Sequence, residues 1–118
     1  MKLAVVGSRK ICDIPFSKYI GSEVTEIVSG GAVGVDKSVK EYAIRRGIRI
    51  TEFLPDYKRY GRRAPLKRNE EIAEYADEAV AFWDGKSRGT DYTVRLFRRL
   101  GKRVRVIIVT ELDEQERL

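Results

Sequence analysis

Histidine is absent from all 118 residues and Cys12 is the single cysteine. Without imidazole there is no histidine base or ligand, a Cys/His zinc site is excluded, and a lone thiol cannot form an internal disulfide. No metal site is expected. Long apolar runs are missing too, with nothing approaching the roughly 20 residues of a membrane span. The opening Met1-Lys2-Leu3-Ala4-Val5-Val6-Gly7 runs into a strand-like segment instead of a cleavable signal. A cytoplasmic protein with no membrane partner is the expectation. Side-chain amides are almost absent, Asn69 and Gln115 being the only two, among many Lys, Arg and Glu residues. That balance is associated with adaptation to heat.

What is present can build one domain. Hydrophobic residues make up 42% and charged residues 36% of the chain, enough apolar side chains for a core beneath an ionised surface. The net charge of +6, from 24 basic and 18 acidic residues, favours anionic partners without choosing nucleic acid over small phosphates.

Short apolar runs at Leu3 to Val6, Glu23 to Val28, Ile48 to Phe53, Glu78 to Phe82 and Val104 to Val109 read as strands. Between the second and third, Val35, Val39, Tyr42 and Ala43 recur at helical spacing, with Gly47 as the stop. Further helices are predicted from about Pro65 to Tyr75 and from about Thr90 to Leu100. Ile11 to Gly21, holding Pro15, has room only for a short helix. Alternating strands and helices imply βαβ units, hence a three-layer α/β sandwich around a mainly parallel sheet of about five strands. Residues 1–110 would form this Rossmann-like domain and residues 111–118 an acidic tail.

In such sheets ligands bind at the carboxyl ends of the strands, where helix N-termini present free N–H groups. Four segments there carry distinctive residues. Gly7-Ser8-Arg9 offers a close backbone approach, a hydroxyl and a guanidinium fork, or is an ordinary turn with a solvated arginine. Ser29-Gly30-Gly31-Ala32-Val33-Gly34-Val35-Asp36 is an anion cradle by its three glycines, although it is neither a Walker A loop nor a GxGxxG. Asp36 reads either as a first-turn helix acid or as a partner for a ligand hydroxyl.

Arg62 to Asn69, preceded by Asp56 to Tyr60, mixes basic and aromatic side chains that could hold phosphate, stack a base or line single-stranded nucleic acid, and Arg68 and Asn69 stand near a helix start. The alternative is a solvated basic loop. Trp83-Asp84-Gly85-Lys86-Ser87-Arg88-Gly89-Thr90 ends at a helix N-terminus, a second anion cradle, with Trp83 either packing or stacking on a ligand.

Taken together, these segments resemble the SLOG superfamily, in particular its small YspA/YpsA-like branch, through Val6 to Arg9, Val28 to Asp36, Lys67 to Asn69 and Ala81 to Thr90. The resemblance implies a Rossmann-like fold, a nucleotide or ribose-containing ligand held by the second and fourth loops, and a homodimer. Related LONELY GUY enzymes cleave the base from ribose phosphate with a glutamate three residues after the threonine of a PGGxGTxxE motif. That position here is Thr93. The similar DNA-processing protein A family binds single-stranded DNA.

The function expected is therefore binding or sensing of a small phosphate-bearing nucleotide derivative, of ribose phosphate or ADP-ribose type. The alternatives are an N-glycosidic hydrolase and single-stranded nucleic-acid binding. With no histidine, a hydrolase would rely on a carboxylate from Asp36, Asp84 or Asp91, of which Asp84 lies beside the fourth loop. The blander role for Asp84 is a turn aspartate ahead of Gly85.

Overall fold

The computed structural model describes residues 1–11 and 13–109, so Cys12 and the predicted acidic tail lie outside the described residues. Five strands, β1 (Lys2–Gly7), β2 (Glu26–Ser29), β3 (Arg49–Glu52), β4 (Glu78–Trp83) and β5 (Val104–Ile108), form one sheet in the order β3-β2-β1-β4-β5. Every pairing is parallel. The helices are α1 (Val35–Arg46), α2 (Tyr57–Tyr60), α3 (Ala64–Tyr75) and α4 (Arg88–Arg99). This is the Rossmann-like α/β fold that the alternation of elements implies.

Strand residues alternate between two buried faces. Leu3, Val5, Ile27, Val80 and Phe82 point to one side, where α1 brings Val35, Val39, Tyr42 and Ala43. Ala4, Val28 and Ala79 point to the other, against Ile72, Ala73, Leu96 and Phe97 of α3 and α4. Small strand residues on the second face let two helices lie close to the sheet. Large ones on the first face are needed because the β1–β2 crossover carries no full helix.

That crossover has only a 3-10 turn at Phe16–Lys18. Its place is filled by Ile11, Ile14, Phe16, Ile20 and Val24, all buried. Phe16 and Tyr19 both meet Phe82 edge to face, at 5.7 and 5.2 Å between ring centres, and Arg105 Nη2 donates to Tyr19 O at 2.6 Å. The strand expected from Glu23 begins at Glu26 because β1 begins at Lys2, the residue it pairs with. The basic stretch read as a loop is largely helical, comprising α2, a 3-10 turn at Gly61–Arg63 and the start of α3.

The far end of α3 is fastened twice. Glu26 accepts hydrogen bonds from Tyr75 Oη at 2.5 Å and Thr51 Oγ1 at 2.8 Å, and the Tyr75 bond foremost holds its carboxyl below the usual range. Lys102 Nζ donates to the carbonyls of Ala73, Glu74 and Ala76 at 2.7, 2.9 and 2.8 Å, so all three ammonium protons serve the last carbonyls of a helix whose cap residue, Ala76, donates its own N–H to Ile72 O. Lys102→Met keeps the stem and removes these bonds, and is expected to cost about 1–2 kcal/mol of stability. Urea denaturation of the two proteins measures it; equal midpoints would mean that water replaces the ammonium without loss.

Candidate functional site

The chain leaves β1 towards β2 and β3 on one side and returns to β4 and β5 on the other, so the loops after β1 and β4 part at the middle of the sheet. A cleft opens there, at the position where open α/β sheets bind ligands. Its volume is about 250 Å3.

Two glycines set the geometry of its floor. A Cβ on Gly7 would stand 2.6 Å from Val35 Cγ2 and 2.7 Å from Phe82 O, so only glycine lets the start of α1 rest against the end of β1. Gly34 has φ 74° and ψ −125°, and a Cβ there would meet Arg9 O at 2.2 Å. The second loop is thereby locked to the first.

Asp36, in the first turn of α1, reaches back into its own loop, where its Oδ2 accepts the Ala32 N–H at 3.1 Å and the Gly30 backbone lies close enough to favour the charged form. Burial pushes its carboxyl above the ordinary value of 3.8, against these bonds and the nearby Arg68 charge. Arg68, on α3, donates from Nη1 to Gly30 O at 2.7 Å and from Nε to Asn69 Oδ1 at 2.9 Å. The guanidinium is partly desolvated, and the Arg9 charge works against it in the same direction. Neither arginine forms an ion pair among the described residues.

The fourth loop is held by its own residues. Asp84 Oδ1 accepts the Lys86 and Ser87 N–H groups, both at 2.8 Å, and these bonds hold its carboxyl below the ordinary value. Trp83 Nε1 donates to Ser87 O at 2.9 Å. Ser87 caps α4, its Oγ accepting the Thr90 N–H at 3.5 Å. Thr93 is buried and donates its hydroxyl to Gly89 O at 2.9 Å.

Of the residues picked out by sequence, the cleft gathers Gly7, Arg9, Gly30, Ala32, Asp36, Arg68, Asn69, Ser87, Gly89 and Thr90. Ser8, Ser29, Gly31, Gly34, Trp83, Asp84, Gly85 and Arg88 do not line it. Most of these work behind it. Ser29 Oγ accepts the Gly31 N–H at 3.3 Å, and Gly34, Trp83 and Asp84 shape the loops as described. Ser8 N–H donates to Phe82 O at 3.1 Å, while its buried Oγ has no hydrogen bond of good geometry among the described residues, although its closeness helps lower Asp84. Val6, Pro65, Leu66, Ile72 and Thr93 also line the cleft. Four of these five are apolar, and apolar residues in strand and helix patterns give no sign that they border a cleft. Asp36 is the only carboxylate in the lining. Among the described residues no three metal-ligating side chains come together.

The fold and the cleft define a Rossmann-like α/β domain with a basic, glycine-lined crevice at its strand-order reversal. No protein-family model matches the chain, and no curated protein sequence matches it. The fold is similar to that in the X-ray structure of DNA processing protein A (DprA) from Streptococcus pneumoniae, with a TM-score of 0.74 and 23% identity over 95% of this chain and 52% of that one. The chain thus spans about half the length of that protein. No helix among the described residues is long and apolar enough to cross a membrane.

Asp36 gives a pH signature. Its folded-state carboxyl titrates above the unfolded value of 3.8, so its contribution to stability is complete below that pH and falls as pH rises through 3.8 towards the raised folded value. Asparagine can still accept the Ala32 N–H and does not titrate. Asp36→Asn is therefore expected to gain stability relative to the wild type as pH rises through this window, read by denaturant titration at several pH values. A stability difference independent of pH would contradict the direction of the shift.

Proposed function

We propose that this domain binds a nucleotide or nucleotide-derived ligand, holding its phosphate in the cleft at the end of β1. The observation that carries this reading is Arg68, partly desolvated in the cleft lining with no ion-pair partner among the described residues, together with Arg9 of the same lining, whose charge acts on it. Partly desolvated charge is costly unless compensated. An oxyanion between these groups would supply the compensation, and the first turns of α1 and α4 add N–H donors and the positive ends of two helices. Arg68 is already aimed by Gly30 O and Asn69, so its position need not be ordered by the ligand.

Binding fits the site better than N-glycoside hydrolysis. Asp36 spends its carboxylate on the glycine loop, Asp84 spends its own on the turn before α4, and Thr93 gives its hydroxyl to Gly89. The same cleft and loops support the SLOG-type affiliation. A second reading, single-stranded nucleic acid, draws on the exposed Tyr57, Lys58, Arg59, Arg62 and Arg63 near the cleft, and on DprA being named a DNA processing protein.

Isothermal titration with nucleoside monophosphates and ADP-ribose tests the proposal. Arg68→Ala should weaken binding about tenfold or more, since it removes charge-assisted hydrogen bonds. No heat at millimolar ligand, or an affinity untouched by Arg68→Ala, would refute it. Oligonucleotide binding that far exceeds mononucleotide binding, falls steeply with salt and weakens in Arg62→Ala and Arg63→Ala would establish the second reading in its place.

A further inference from the structure

Beside the cleft lies a second, more open hollow of about 380 Å3, lined by Leu66, Arg88, Gly89, Asp91, Tyr92 and Arg95. The two share Leu66 and Gly89 in their linings, so they lie side by side on the surface. Their sizes differ in a telling way. The cleft, at about 250 Å3, falls short of the roughly 300–1,000 Å3 of sites that take a whole small molecule, and so suits the sugar-phosphate part of a nucleotide.

The chemistry changes across the shared boundary. In the cleft the arginines lack ion-pair partners, whereas in the hollow Arg95 Nε pairs with Asp91 Oδ2 at 3.1 Å, cancelling the charge while leaving a planar, exposed guanidinium. Tyr92 is half-buried with its ring fixed, because its hydroxyl donates to Glu70 Oε1 of α3 at 3.0 Å. Leu66 is exposed at the rim. The paired Arg95 guanidinium, a tethered phenol ring and an aliphatic side chain form a surface on which a flat ring can stack, while Arg88, next to Gly89, brings a charge without an ion pair among the described residues to the boundary with the cleft.

We infer that this hollow between α3 and α4 receives the nucleobase of the ligand whose phosphate lies in the neighbouring cleft, so that the domain selects base-bearing nucleotides over bare sugar phosphates. The inference rests on the phosphate site proposed above. Among the described residues no side-chain amide lines the hollow, Asp91 and Arg95 already satisfy one another, and Arg88 stands beside Gly89 at the boundary with the cleft. The base is therefore gripped by its faces and not read by its edges, and adenine and guanine nucleotides should bind within a few-fold of each other.

The test compares AMP with ribose 5-phosphate by isothermal titration on the wild type, Arg95→Ala and Tyr92→Leu. Stacking of one base predicts that the wild type prefers AMP by about tenfold or more. That preference should shrink towards unity in both variants while ribose 5-phosphate affinity holds. Arg95 is largely exposed, so its replacement leaves the core intact even if Tyr92→Leu disturbs packing. Equal affinities for the two ligands in the wild type, or a preference that survives Arg95→Ala and a folded Tyr92→Leu, would overturn the base site while leaving the phosphate site standing. Failure of both ligands to bind the wild type would overturn both.

Discussion

The carboxyl edge of the sheet depends on how closely the start of α1 can approach the end of β1. Gly7 yields to Val35, Gly34 yields to the Arg9 carbonyl, and no side chain at either position would permit the contact. Because the approach is so tight, the glycine loop between β2 and α1 has one place to go, under the backbone of the β1 loop. Asp36 then closes the loop on itself through Ala32, and Arg68 reaches the Gly30 carbonyl from α3. Three elements distant in sequence are thus tied to one short loop, and the cleft is the space they leave.

The two faces of the sheet solve different packing problems. The α3/α4 face uses alanines at positions 4, 73, 76 and 79, which bring helices near the strands and set Arg68 and Ser87 on opposite sides of the cleft. The α1 face lacks one helix of the usual pair and fills the gap with aromatic and branched side chains from residues 11 to 24. The T-shaped contacts of Phe16 with Tyr42 and Phe82 let an irregular segment close a core that a helix would otherwise cover.

Much of this was legible in the sequence. Apolar runs separated by helical periodicity locate the five strands to within a few residues, because strands buried on both faces are continuously hydrophobic. The glycine-rich loops lead to the cleft because glycine spacing reports close backbone approach directly. What the sequence conceals is which loop residues face the cleft. Asp84 and Trp83 stand in a conspicuous loop, yet their hydrogen bonds run inward, to Lys86 and Ser87. Leu66 and Ile72 border the cleft yet look like any other apolar helix positions, and only the packing of α3 across the sheet edge shows it. The helical nature of Tyr57 to Arg63 is masked by its charge, since short helices carry too few turns for a clear period.

Helix α3 is anchored at both ends, by Arg68 on Gly30 near its start and by Lys102 and the Glu26–Tyr75 bond at its finish. A wall held in this way is positioned by contacts within the fold itself. If the cleft takes a ligand as proposed above, this wall needs little ordering when the ligand arrives, so free and occupied forms should have nearly the same shape. Selectivity in that case comes from fit to a preformed surface.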